Sequence, residues 1–137
     1  MTAPRLVALA LVVGLVAGCA LTEQVLPTPL PTTVENPEAD WAWIVSPKDR
    51  RGADGQMFEY VCPPGGHAHD IWGTDIYTDD SSVCNAAVHA GLITFRRGGR
   101  VRIMIRPGLD AYEGSERNGM ISDDYGHWNG SFVFVGS

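Results

Sequence analysis

The residues that could do chemistry in this chain are few. His67-Ala68-His69-Asp70 puts two imidazoles and a carboxylate within one short segment, the raw material of a metal site. Two histidines one residue apart face the same way only on an extended segment, and His89 or His127 would have to arrive from elsewhere in the fold. The expectation is therefore solvent-facing or hydrogen-bonded histidines, with no metal and no cofactor. Asp79-Asp80 and Asp123-Asp124 are carboxylate pairs of the kind glycoside hydrolysis uses, but both lie in turn-forming sequence, where such doublets cap or face solvent. His89 could serve as a general base only beside a nucleophile, and no Ser elbow or Cys nucleophile accompanies it. A structural role, bonding a strand or the Gly114-Ser115 loop, is expected instead. Flat rings with polar neighbours offer another chemistry, stacking on sugars: Trp72, Tyr77, Tyr112, Tyr125 and Trp128. Trp72 and Tyr77 read as core, whereas Tyr125 and Trp128 fall in a polar loop and read as exposed.

These groups must be positioned by short strands around one helix. Ser81 to Gly91 is helical in pattern, with Asp80 or Ser81 to cap its first amides, alanines in its middle and Gly91 just past its end. Val83, Cys84, Ala87, Val88 and Gly91 share one face; Ser82, Asn85 and His89 share another. Trp41 to Val45 reads as a first strand carrying two indoles on one face, and Met57 to Val61 as a second. Ile71 to Tyr77 alternates around Gly73, the mark of a strand with a bulge or a close backbone contact. Leu92 to Phe95 reads as a strand and Arg96 to Gly99 as a hairpin turn. Arg100 to Arg106 alternates Val101, Ile103 and Ile105 against Arg102, Met104 and Arg106, a half-buried strand that Pro107-Gly108 should end. Tyr112 to Ser122 reads as a loop whose Asn118-Gly119 pair suits positive φ, Asp123 to Gly130 as polar turns, and Ser131 to Val135 as a last strand.

The N-terminal part has a different character. Met1 to Arg5 is a short basic segment, and Leu6 to Gly18 is apolar but too short for a permanent membrane-spanning helix, so residues 1–18 read as an export signal. Val16-Ala17-Gly18-Cys19 resembles the bacterial lipobox, which implies cleavage before Cys19 and acylation of its thiol, with stable anchoring through more than one chain. Residues 19–40, with Pro27, Pro29, Pro31 and Pro37, read as a tether, leaving 41–137 as the folded domain. Ala20 after the lipidated Cys favours the outer membrane in a two-membrane cell, facing the periplasm or the cell surface. A formal net charge of −6 argues against nucleic acid as a partner. With Cys19 assigned to lipid, Cys62 and Cys84 are an even pair in an oxidising setting, which favours a disulfide over two separate buried thiols.

Cys62-Pro63, Ile71 to Thr74, Tyr77, Ser81 to Gly91, Gly98-Gly99, Tyr112 to Ser115, Asn118-Gly119 and Ser131-Phe132 together resemble, in order and spacing, the LCCL domain family of the cochlin and clotting factor C type. The resemblance implies an α+β module, a central helix wrapped by twisted antiparallel strands, exported and non-enzymatic. It also marks His89, Gly91, Gly114 and Gly119 as structural motif positions. Family members usually carry four cysteines, and the second Cys of their Cys-Pro-x-x-Cys corresponds here to Gly66, so one staple is absent. The function expected is a lipid-anchored envelope recognition module for polysaccharide, lipopolysaccharide or another envelope component, with Tyr112, Ser115, Asn118, Tyr125 and Trp128 as candidate ligand contacts. The alternative is a structural or protein-interaction component of the envelope.

Overall fold

A computed structural model describes residues 37–136, together with Gly14 and Gly18. The rest of the expected export signal, Cys19 with its expected acylation, and the expected tether as far as residue 36 lie outside these residues. All but those two glycines belong to one unit, Thr33–Ser137.

Alternation builds its sheet. On β4 (Gly99–Leu109), Val101, Ile103 and Ile105 are buried while Arg100, Arg102 and Arg106 face solvent, as a period of two requires. β4 pairs on one side with β1 (Met57–Cys62) and on the other with β7 (Trp128–Phe134), where Ile105 stands opposite Phe132. β3 (Ile76–Thr78) lies beyond β7 and β2 (Gly73–Thr74) closes the edge, giving five antiparallel strands in the order β1-β4-β7-β3-β2. The inner face of this sheet meets the helix α2 (Val83–His89), all of whose residues are buried. Its small side chains let the strands close in, and Cys62 at the end of β1 is bridged to Cys84. The disulfide and the α+β class expected from the sequence are both present.

The polar side of α2 is buried too, because every group on it finds a partner. Ser82 Oγ and Asn85 Nδ2 both donate to the Trp43 carbonyl, at 2.7 and 2.8 Å, and Asn85 Oδ1 accepts from the His69 amide at 2.9 Å. Ser82, rather than Asp80 or Ser81, is the N-cap, accepting from the Asn85 amide. The helix is thus shorter than its sequence pattern, although Gly91 does take the left-handed conformation at φ 79°.

Several elements differ from expectation. Trp41 to Val45 is not a strand: α1 (Pro37–Ala42) starts inside the expected tether, and the chain then turns, burying Trp43 at 1% exposure and leaving Trp41 at 65%. Ile71 to Tyr77 is not one strand but the hairpin β2/β3, turning at Asp75 with φ 64°, and the carbonyl of Ile76 fills the space a side chain on Gly73 would need. Leu92 to Phe95 contributes only a single bridge from Thr94 to Gly98, with the Gly98 amide closing the turn onto the Thr94 carbonyl. Tyr112 to Ser122 contains a second hairpin, β5 (Glu116–Arg117) with β6 (Met120–Ile121), whose turn is Asn118-Gly119 at φ 51° and 73°. Trp128 belongs to β7, not to the polar turns before it.

β4 also runs through Pro107 and Gly108 to Leu109. The Ile105 amide donates to Gln56 on the β1 side, so the nitrogen of Pro107, two residues on, faces the same side, beyond the end of β1. The missing N–H costs no ladder bond there.

Candidate functional site

Three of the candidate residues are held by hydrogen bonds that build the fold. Tyr112 is buried; its hydroxyl accepts from the Leu109 amide at 3.0 Å and lies within 3.3 Å of the carbonyls of Trp128 and Gly130. Burial pushes its phenol above the ordinary value. Asn118 donates through Nδ2 to the His89 carbonyl at 2.9 Å, satisfying the end of α2. Ser115 accepts at its carbonyl from His89 Nε2 at 3.0 Å, and its hydroxyl pairs with Thr74 Oγ1 at 2.6 Å.

His89 joins the helix to both of its neighbours. A carbonyl can only accept, so Nε2 carries the proton toward Ser115, and Nδ1 accepts from the Tyr77 hydroxyl at 2.8 Å. The imidazole is fully buried and has no spare nitrogen to offer a substrate. The family-motif glycines sit around this joint, Gly91 beneath the Asn118 amide and Gly114 against the backbone of Ser122 and Asp123.

Tyr125 and Trp128 are placed differently from each other. Tyr125 is 42% exposed and pairs with Tyr112 through both backbone bonds of an isolated bridge. Its ring meets Trp72 edge-on at 6.1 Å and Trp128 edge-on at 5.6 Å, so three aromatic rings stand in a strip. Trp128 is half-buried, a correction to its expected exposure, because its Nε1 donates to Asp79 Oδ1 at 2.7 Å. Asp79, fully buried, also receives Nε and Nη2 of Arg51, each at 2.7 Å. That bidentate bond raises the guanidinium pKa further. Arg51 and Lys48 both lie 5.2 Å from the Trp128 ring centre, so the strip ends under two cations.

On the other side of the Tyr112 segment is a shallow cleft of about 360 Å³, bordered by Thr74, Glu113, Ser115 and Arg117. Arg117 is tied at 2.8 Å to Asp75. The cleft offers hydroxyls and charges of both signs, and the strip offers ring faces; together they suit hydrogen bonding and stacking rather than bond cleavage. Thr74 belongs to the Ile71 to Thr74 stretch that carries the resemblance, but nothing in the sequence singles out Lys48, Arg51 or Arg117. They come from segments far apart in the chain, and no local spacing announces them.

The remaining candidates do not converge. His67 and His69 have their rings 5.8 Å apart, and His67 lies 3.5 Å from Asp40. Among the described residues no three metal-binding side chains come together. His127 faces Asp110 Oδ1 at 3.0 Å and Asn129 Oδ1 at 2.8 Å, and these two acceptors hold its pKa above the ordinary value. Of the carboxylate pairs, Asp79 is consumed by Arg51 and Trp128, while Asp124 accepts from the Gly114 amide at 2.7 Å. Neither pair is arranged as two carboxylates across a cleft.

A family model described as the LCCL domain matches residues 40–132. The chain is similar to vitrin of Bos taurus, 39% identical over 78 residues, which is 56% of this chain and 12% of vitrin. It is also similar to the human cysteine-rich secretory protein LCCL domain-containing 2, 46% identical over 56 residues, covering 41% of this chain and 11% of that protein. Cochlin of Cavia porcellus is 36% identical over 77 residues, 55% of this chain and 14% of cochlin. The matched region is thus a small part of each relative's length.

Proposed function

The chain belongs to the LCCL domain family, and on that premise we propose that it is a non-catalytic recognition module of the cell envelope that binds polysaccharide or lipopolysaccharide. The observation that carries this reading is the strip of Trp72, Tyr125 and Trp128, closed at one end by Lys48 and Arg51. Sugar rings stack on such faces, and Lys48 answers the carboxylates or phosphates of envelope glycans, while Arg51, neutralised by Asp79, holds the Trp128 ring in place. The burial of His89 between Tyr77 and Ser115 and the use of Asp79 as a structural anchor fit binding without turnover. The N-terminal segment, with Cys19 acylated, would hold the module at the membrane, in the outer membrane of a two-membrane cell.

The test is binding to purified lipopolysaccharide and to envelope polysaccharides, comparing the protein with Tyr125→Ala. Tyr125 is exposed, and its side chain makes no hydrogen bond among the described residues, so the fold should survive its loss. Binding that weakens about ten-fold in the variant, equivalent to about 1.4 kcal/mol, supports the reading. Equal binding by both proteins, or none, removes it. A second reading, a protein-interaction component of the envelope, rests on Trp41 at 65% and Ile44 at 46% exposure, side by side near α1. Protein cross-links at Trp41 without any glycan signal would favour that one.

A further inference from the structure

The outer face of the sheet breaks the rule it should follow. An antiparallel sheet with one face in water is expected to present polar side chains there. The strand registers instead align Met57 with Met104, Met104 with Val133, and Val133 with Ile76. Four apolar side chains on four neighbouring strands therefore form one row, roughly 14 Å long at the usual strand spacing. Met57 is 56% and Ile76 38% exposed, and Met104 and Val133 are half-buried. At the Ile76 end the row runs into a shallow cleft of about 330 Å³ beside Arg106 and Leu109.

Arginines flank this row. Arg100 and Arg102 point outward on one side of it along β4, and Arg106 on the other. The one carboxylate on β1 facing the same way is Glu59, 2.7 Å from Arg100 and 3.7 Å from Arg102. Among the described residues Arg106 has no ion-pair partner. Three cations against one anion is the reverse of a chain whose formal net charge is −6, so positive charge is gathered on this face while the excess of carboxylates lies elsewhere.

A flat apolar row between guanidinium groups fits a bilayer surface. Met57 and Ile76 can enter between headgroups, and the arginines can reach phosphates while their stems cover apolar surface. The acidic remainder of the molecule would be repelled by the same surface, which orients this face toward it within about a Debye length, roughly 8–10 Å. We infer that the outer face of the five-stranded sheet is a docking surface for an anionic phospholipid bilayer. It uses none of the residues of the aromatic strip, so glycan binding and bilayer docking can fail separately.

The full chain is incubated with vesicles of phosphatidylcholine alone or with phosphatidylglycerol added, and oxidation of each methionine by dilute peroxide is followed by mass spectrometry. Met57 should oxidise several-fold more slowly on the anionic vesicles, while Met120, 4% exposed in the core, should be unchanged and so report an intact fold. The comparison holds even if the N-terminus attaches the protein to both kinds of vesicle, because it reads the face and not attachment. Arg102→Gln and Arg106→Gln should each weaken the anionic preference roughly five-fold, the contribution expected of one arginine near such a surface. Equal Met57 oxidation on both vesicles overturns the inference. So does protection that grows with protein concentration in the absence of lipid, which would assign the face to a second copy of the chain.

Discussion

At the residue scale the sharpest consequence concerns Tyr77. Its side chain is fully buried, stacked on Phe132 at 5.7 Å, and its hydroxyl donates to His89 Nδ1 at 2.8 Å. Burial, which disfavours the phenolate, pushes its pKa up to about 12 from the ordinary value of 10.0. The folded state therefore holds this proton more tightly than the unfolded chain does. Its contribution is fully present below pH 10.0 and is lost as pH rises toward about 12. Tyr77→Phe should cost about 1–3 kcal/mol at neutral pH, because His89 Nδ1 is left buried without a donor. The same variant should lose less stability than the parent on passing through the alkaline window, with a residual slope from Tyr60 and Tyr112, which burial also raises. Urea denaturation at neutral pH and through that window measures both effects; an unchanged alkaline slope would assign it to other groups. This joint was half visible in the sequence. His89 stood on the polar side of a helix with other hydrogen-bonding residues, and the expected bond to a strand or to the Gly114-Ser115 loop is present on both counts; that the strand partner is Tyr77 is set by the tertiary path of the β2/β3 hairpin and has no local signal.

At the scale of elements, the segment that matters most is the one the sequence misled on. Trp41 to Val45 is a run of apolar residues too short for its period to separate strand from helix or turn. The better signal was Pro37 at the first helical position, followed by acidic residues, which is a helix start rather than the end of a tether. What the segment delivers is Trp43. Its indole is buried against Gly66, 5.3 Å from Phe95, with Nε1 donating to the Pro63 carbonyl at 3.0 Å. A Cβ on Gly66 would fall inside the indole, so the position where the resemblance leads one to expect a cysteine is kept bare for a ring. Trp43→Ala should cost about 3–5 kcal/mol, and Gly66→Ala about 1–3 kcal/mol by overpacking. In the Trp43→Ala background, Gly66→Ala should cost almost nothing, because the space is then empty. Denaturation of the four proteins of this cycle measures the coupling; additive losses would show that the indole does not stand in for the missing staple.

At the scale of the whole molecule, the parts legible in the sequence were those fixed by local rules. β4 announced itself by alternation, α2 by its small residues and Gly91, and the disulfide by an even pair of cysteines. Asn118-Gly119 announced its positive-φ turn but not the short strands on either side of it, and the hairpin at Asp75 and the passage of β4 through Pro107 depend on which strand lies next door, which periodicity does not report. The disulfide links these two kinds of information, since it ties the end of β1 to a helix that the sheet and the hairpins enclose. Cys62 and Cys84 are both 1% exposed and 22 residues apart in sequence. Releasing so short a loop in the unfolded chain should cost about 3 kcal/mol in the chain-entropy account. For a domain of this size that corresponds to a melting temperature lower by about 10–20 °C. Cys62→Ala and Cys84→Ala should each show this loss, and the double variant should be no worse than the single ones beyond its packing, since a bridge can be lost only once. Thermal melts of the three variants against the oxidised parent decide it. A parent whose melting temperature does not move on reduction would mean that α2 is held in place by its hydrogen bonds to Trp43, Tyr77 and Ser115 without help from the bridge.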